Sequence, residues 1–230
     1  MRPHAVHAVI AVKSLDRAKS RLAEHLRPPQ RARLVLAMLA DTVRAAAAVP
    51  AIASVTVVTP DPLVAELARS RGAMVHPEPV AQRSHSDPDK LNTALDSAAA
   101  ALRRRHGPVD LLALQADLPA LRPDELAAMF TAAPPATRSL VVDHAGSGTA
   151  ALLAPAGIAL RPRFGPGSAR RHIGDGAAAL GGDWPGLRLD VDTAADLDRA
   201  LLLGAGTDTR ALLCDIGWPH SVHQPVPRVC

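Results

Sequence analysis

The chain has 230 residues, enough for one full core or one core with a small appendage. Hydrophobic residues make up 48%, which excludes a disordered chain, and aromatics only 2% with no tyrosine, which argues against stacking on nucleic-acid bases. The net charge is 26 − 22 = +4 with no long basic run, so a phosphate-rich small molecule suits it at least as well as a polynucleotide.

The first buried strand is expected over His7 to Val12 (HAVIAV). A polar, basic loop follows from Lys13 to Arg27. Pro28-Pro29 opens a long helix to about Val49, with Val35, Leu39 and Val43 recurring on one face. Ser54 to Val58 is β-branched and predicts a second strand. Asp61-Pro62 supplies an N-cap and an N1 proline for a short helix that Gly72 ends. Ala73 to Val75 reads as a third strand, and His76 to Lys90 as a loop. A helix over Leu91 to Arg105 leads to a strand at Asp110 to Leu114, then a helix from Pro123 to about Thr131.

The second half is less regular. Strands are expected at Ser139 to Asp143 and Thr149 to Leu153, joined by the turn Ala145-Gly146-Ser147-Gly148. The basic loop Arg161 to Gly167 feeds a helix from Ser168. A strand at Leu187 to Leu189 precedes Asp190 and Asp192, and Thr193 caps a helix through Leu203, with Asp196 in the capping-box position. Residues 1–213 form the expected domain, and 214–230 an expected poorly ordered tail. Alternating strands and helices imply an α/β fold, a mixed but mostly parallel sheet with helices on both faces and an antiparallel excursion late in the chain.

The N-terminus shows no signal-peptide pattern, and no run approaches the ~18–20 apolar residues of a membrane span, so a cytoplasmic protein with no membrane partner is expected. Cys214 and Cys230 give no zinc or disulfide spacing. Oligomeric state is not legible.

The segment Gln115-Ala116-Asp117-Leu118-Pro119 follows an apolar strand, and open α/β sheets bind ligands at that end of their strands. Asp190-Val191-Asp192 lies after a second short apolar run. Two acidic sites far apart in sequence can converge in such a fold, and their hard oxygens suit Mg²⁺. The bland alternative makes Asp117 a turn cap and Asp192 the residue before the Thr193 cap; Asp117 and Asp190 are the stronger candidates. Lys13, Arg17, Lys19 and Arg21 place four cations within nine residues right after the first strand, which suits a triphosphate. No G-x-x-x-x-G-K-[ST] and no G-x-G-x-x-G is present. Gly146-Ser147-Gly148-Thr149 and Phe164-Gly165-Pro166-Gly167-Ser168 offer a second anion site, flanked by Arg161, Arg163, Arg170 and Arg171. His85 and His172 are possible general bases to which no role is assigned.

The ordered set Lys13…Lys19-Ser20-Arg21-Leu22, Leu91-Asn92-Thr93-Ala94, Leu114-Gln115-Ala116-Asp117-Leu118-Pro119, Gly148-Thr149-Ala150, Arg163-Phe164-Gly165-Pro166-Gly167-Ser168 and Asp190-Val191-Asp192-Thr193 resembles the guanylyltransferases of coenzyme F420 biosynthesis, which act on 2-phospho-L-lactate or phosphoenolpyruvate. The resemblance covers about residues 7 to 213. It implies a single-domain nucleotidyltransferase fold of the GT-A type and transfer of GMP from GTP to a small phosphorylated three-carbon acid. It implies Asp117, Asp190 and Asp192 as Mg²⁺ ligands, with Asp117, Lys19 and Arg21 as catalytic residues. It implies Lys13, Lys19 and Arg21 on the GTP phosphates, Asn92 near the nucleoside, and Thr149, Gly165 and Ser168 on phosphoenolpyruvate. Acceptors that remain open are 2-phospho-L-lactate and 3-phosphoglycerate; the alanine- and arginine-rich composition suits a high-GC actinobacterium and favours phosphoenolpyruvate. Rival classes are a molybdenum-cofactor guanylyltransferase, whose glycine-rich first loop is missing here, a GT-A glycosyltransferase using Asp190-Val191-Asp192 as its D-x-D, and a non-catalytic nucleotide-binding protein.

Overall fold

The computed structural model of the chain describes residues 5–15, 19–79 and 87–218; Arg17, His85 and the last residues of the expected tail, 219–230, lie outside the described residues. Strand β1 (Val6–Ala11) is flanked by β2 (Ile52–Thr59) and β4 (Asp110–Leu114) and runs parallel to both. Because both its faces are covered, it reads as continuous apolar sequence rather than an alternating one. β3 (Met74–Pro77) pairs parallel with β2. Beyond β4 the direction reverses: β6 (Thr149–Ala154) is antiparallel to β4 and to β5 (Ser139–Val142), and β7 (Ala178–Ala179) returns parallel to β5. The seven-stranded sheet has the order β3-β2-β1-β4-β6-β5-β7. This is the expected α/β architecture, mixed and mostly parallel.

The period-two alternation of the strands feeds two cores. Val6, Ala8 and Ile10 of β1, with Leu112 and Leu114 of β4, pack under α1 (Pro28–Ala47), α4 (Pro123–Ala132), α7 (Ala194–Leu203) and α8 (Thr207–Asp215). Val9, Leu111 and Ala113 face the other way, against Ala94, Leu95, Ala98, Ala99 and Leu102 of α3 (Asp87–His106). Helices therefore cover both faces. Asp61 caps α2 (Pro62–Ser70) by accepting from the Leu63 N–H at 3.0 Å, and its other oxygen accepts from the Leu15 N–H at 3.0 Å. That second bond ties the loop after β1 to the start of α2. Among the described residues no helix is long and apolar enough to cross a membrane.

Three expectations are corrected. Leu187 to Leu189 is not a strand: Pro185–Arg188 forms a single helical turn, α6. The cause is Glu125, buried in α4, whose carboxylate accepts from the N–H groups of Gly186 (3.0 Å) and Leu187 (2.8 Å). Those donors are then lost to any ladder, and Pro185 has none to give. Second, the tail does not begin at Cys214, because α8 continues to Asp215 and Trp218 is buried, its indole N–H donating to Asp198 at 2.9 Å. Third, the loop expected over His76 to Lys90 is shorter, because β3 runs to Pro77 and α3 begins at Asp87. α8 and β7 answer to no expected element. α8 is held from outside by Asp41 of α1, whose carboxylate accepts from the N–H groups of Asp208 (3.1 Å) and Thr209 (2.8 Å) and pairs with Arg44 at 2.7 Å. Cutting Asp41→Ala leaves those helix-end donors buried without a partner. It is expected to lower stability by about 2 kcal/mol, read as a fall in the urea midpoint at unchanged slope.

Candidate active site

A cleft of about 510 Å³ opens beyond the C-terminal ends of β1 and β4, lined by Lys13, Lys19, Arg21, Asp117, Asp190 and Asp192 among others. All six residues expected at the metal and the triphosphate meet there. They come together through backbone bonds from several elements. Gln115 N–H donates to Ala150 O at 3.0 Å, setting where the chain leaves β4. The Thr42 hydroxyl of α1 accepts from Leu118 N–H at 3.2 Å and points its proton back to Met38 O at 2.9 Å. Val191 N–H then donates to Asp117 O at 3.1 Å, which joins the two acidic segments directly. Asp196 accepts from the N–H groups of Asp192 (3.1 Å) and Thr193 (2.8 Å) while Thr193 caps α7, so the expected capping box is present.

The charges are arranged around one ammonium group. Lys19 donates to Asp117 and, at 2.9 Å, to Asp192, and Arg21 reaches Asp192 at 3.3 Å. Burial alone would lower the Lys19 pKa, but the Asp117 and Asp192 carboxylates outweigh it and hold the group charged. Lys19 reaches this position from a left-handed backbone conformation, φ 51°. Asp190 has the opposite fate: burial, then the neighbouring charges of Asp117 and Asp143, push it up to about 6. His144, which carried no signal in the sequence, bridges Asp190 (3.2 Å) and Asp196 (3.0 Å).

Among the described residues no three His, Cys, Asp or Glu side chains converge closely enough to enclose a metal ion by themselves, since Lys19 stands between Asp117 and Asp192. One observation does fit a cation. Asp117 Oδ1 is buried and has no hydrogen-bond partner, a costly state for a carboxylate oxygen in a cleft otherwise rich in donors. Hard oxygens from one or two carboxylates are what Mg²⁺ takes when substrate phosphates complete its shell.

The remaining expected residues form a second cluster beside this cleft. Thr149 and Ser168 are buried with their hydroxyl oxygens 3.1 Å apart, and Thr149 Oγ1 lies 3.0 Å from His172 Nδ1. Asn92 lines a neighbouring cleft, and its amide is engaged by the Phe164 main chain, donating to the carbonyl at 3.1 Å and accepting from the N–H at 2.8 Å. Gly165 has φ 121°, a conformation that L side chains avoid, which explains a glycine there. His172 is fully buried with both ring nitrogens satisfied, so it is no general base.

Residues 6–226 match the family described as Guanylyl transferase CofC like. The chain belongs to this family. A relative from Nocardia farcinica named phosphoenolpyruvate guanylyltransferase is 67% identical over 230 residues, all of both chains. One of the same name from Rhodococcus erythropolis is 54% identical over 214 residues, 90% of this chain and 95% of that one. A solved nucleotidyl transferase from Methanothermobacter superposes with a TM-score of 0.55 at 19% identity, covering 86% of this chain and 98% of the other, a likeness of fold. The CofC-like chain is thus a nucleotidyltransferase, and its fold is the nucleotidyltransferase fold expected from the sequence.

Two outcomes are expected here. Thr42→Val removes the acceptor for the buried Leu118 N–H, so it should cost about 1–3 kcal/mol and lower kcat, whereas Thr42→Ser should keep both near wild type; urea melts and turnover check this. The second concerns acid. Burial, then Arg138 and Arg171, push His172 down to about 4; Arg163 acts in the same direction and Asp175 opposes it. An unfolded histidine binds its proton near 6.5. Its contribution to stability is therefore complete above about pH 6.5 and is lost as the pH falls towards 4. Thermal melts between pH 7 and 4 should show that slope, and His172→Phe should reduce it.

Proposed function

We propose that the protein transfers GMP from GTP to the phosphate of phosphoenolpyruvate, forming enolpyruvoyl-2-diphospho-5'-guanosine and pyrophosphate, with Mg²⁺, as a step of coenzyme F420 biosynthesis. The observation that carries this reading is the full-length identity to relatives named phosphoenolpyruvate guanylyltransferase. The cation-lined cleft with its orphaned Asp117 oxygen supports it.

The chemistry asks little covalent work of the protein. An oxygen of the acceptor phosphate forms a bond to the α-phosphorus of GTP as the bond from that phosphorus to the bridging oxygen of the β-phosphate breaks, and pyrophosphate leaves. The acceptor oxygen is already anionic, so no general base is needed. The obstacle is repulsion between two anions. Lys13, Lys19 and Arg21 offset the charge of the triphosphate and of the departing pyrophosphate. Asp117, Asp190 and Asp192 would hold Mg²⁺, which supplies charge screening and Lewis acidity at the phosphates. Thr149, Gly165 and Ser168 are assigned to the acceptor. Asn92 is assigned to the Phe164 main chain, whose N–H and carbonyl its amide holds, rather than to the nucleoside.

Pyrophosphate release from GTP and Mg²⁺, with phosphoenolpyruvate, 2-phospho-L-lactate and 3-phosphoglycerate offered separately, tests the reading. Release with phosphoenolpyruvate is expected. Release only with another acceptor would reassign the substrate, and none with any acceptor would reject guanylyl transfer and turn attention to sugar-nucleotide donors. Asp117→Ala should cut kcat by about 100-fold or more while the melting temperature stays near wild type; an active, Mg²⁺-dependent Asp117→Ala protein would remove Asp117 from the site.

A further inference from the structure

His172, on α5 (Ser168–Gly174), is fully buried and joins two separate pieces of chain, β6 and the loop at Arg163 and Phe164. Its Nε2 accepts from the Arg163 N–H at 2.8 Å, so that nitrogen carries no proton. The proton of the neutral ring then sits on Nδ1, which donates to Thr149 Oγ1 of β6 at 3.0 Å. The ring also meets Phe164 edge-on, with centroids 5.3 Å apart and planes at 74°.

The loop that His172 touches is held from other sides as well. Arg171 donates to Arg163 O at 2.9 Å and to Pro166 O at 2.5 Å. Asn92, from α3, holds both the N–H and the carbonyl of Phe164. Gly165 O is taken by the Ser168 N–H at 3.1 Å. After this accounting the Gly165 and Gly167 N–H groups have no acceptor among the described residues. A loop with its flanking amides and carbonyls tied down, and its glycine amides left over, is built to present donors to an anion.

We infer that His172 and Asn92 are positioning residues for the acceptor: they hold Arg163 and Phe164 from two different helices and so fix the Gly165–Ser168 backbone that meets the phosphorylated three-carbon acid, without touching that acid themselves. This rests on the assignment of Thr149, Gly165 and Ser168 to the acceptor. His172 does its part as a neutral ring, donor at one nitrogen and acceptor at the other, a combination that protonation destroys.

The experiment is steady-state kinetics with GTP and phosphoenolpyruvate varied separately, for wild type, His172→Phe, His172→Gln, Asn92→Ala and Ser168→Ala, with a melting curve for each. His172→Phe keeps the ring packing on Phe164 and loses both polar contacts. Its KM for the acceptor should rise roughly tenfold or more while its KM for GTP stays within about twofold. His172→Gln, which retains a donor and an acceptor, should recover part of the loss, and Asn92→Ala should repeat the acceptor-only effect. A cooperatively folded His172→Phe with unchanged acceptor KM, or a parallel loss for both substrates, overturns the inference. If His172→Phe fails to fold, Asn92→Ala decides by the same criterion. Ser168→Ala separates the two levels of the argument. An unchanged acceptor KM in Ser168→Ala would remove the acceptor assignment itself. A raised one, beside unaffected His172→Phe and Asn92→Ala, would remove only the clamp.

Discussion

Everything in the cleft depends on one buried ammonium group. Asp117, Asp190 and Asp192 crowd the C-terminal edge of the sheet, where solvent screening is reduced and like charges repel strongly. Lys19 offsets two of them, and the third, Asp190, is driven towards its protonated form. Asp117 also keeps one buried carboxylate oxygen without a hydrogen-bond partner among the described residues. Crowded carboxylates and an unpartnered buried oxygen both cost stability.

That cost is carried by supports outside the cleft. Thr42 fixes the chain after β4, Glu125 bends the chain before Asp190, and the bond from Val191 N–H to Asp117 O joins the two. Each support is a buried polar group with its hydrogen bonds satisfied, so each specifies a single geometry at little net cost. The same logic recurs at α8, where Asp41 supplies from α1 the cap that the helix lacks in its own sequence. The loop at Arg163 and Phe164 is anchored in the same manner, by a histidine and an asparagine that approach it from different helices.

The sheet's order accounts for the division of labour. Its parallel half brings the ends of β1 and β4 side by side, which places the basic loop against Asp117. Its antiparallel half brings β6 next to β4, which puts Thr149 near that edge, with α5 alongside through the bond from Ala169 N–H to Ser147 O. The basic side chains and the glycine loop thus arrive from different halves of one sheet, next to each other.

The sequence by itself determined the elements whose signals are local. The apolar runs of β1 and β4, the Pro28 and Pro123 helix starts, the Asp61 cap and the Thr193–Asp196 capping box are all fixed by residues within a turn of one another. It also exposed the three aspartates and the basic loop, because charge just past a strand end is unusual enough to read. Tertiary structure decided what depends on partners distant in sequence. Leu187 to Leu189 looks like a strand until Glu125, 62 residues away, takes its N–H. Asn92 has no visible partner until Phe164, 72 residues away, pairs with its amide. His144 and His172 acquire partners only when distant segments meet, Asp190 and Asp196 for the first and Thr149 and Arg163 for the second, since a histidine's tautomer and charge are set by the groups that face it and no local pattern encodes those.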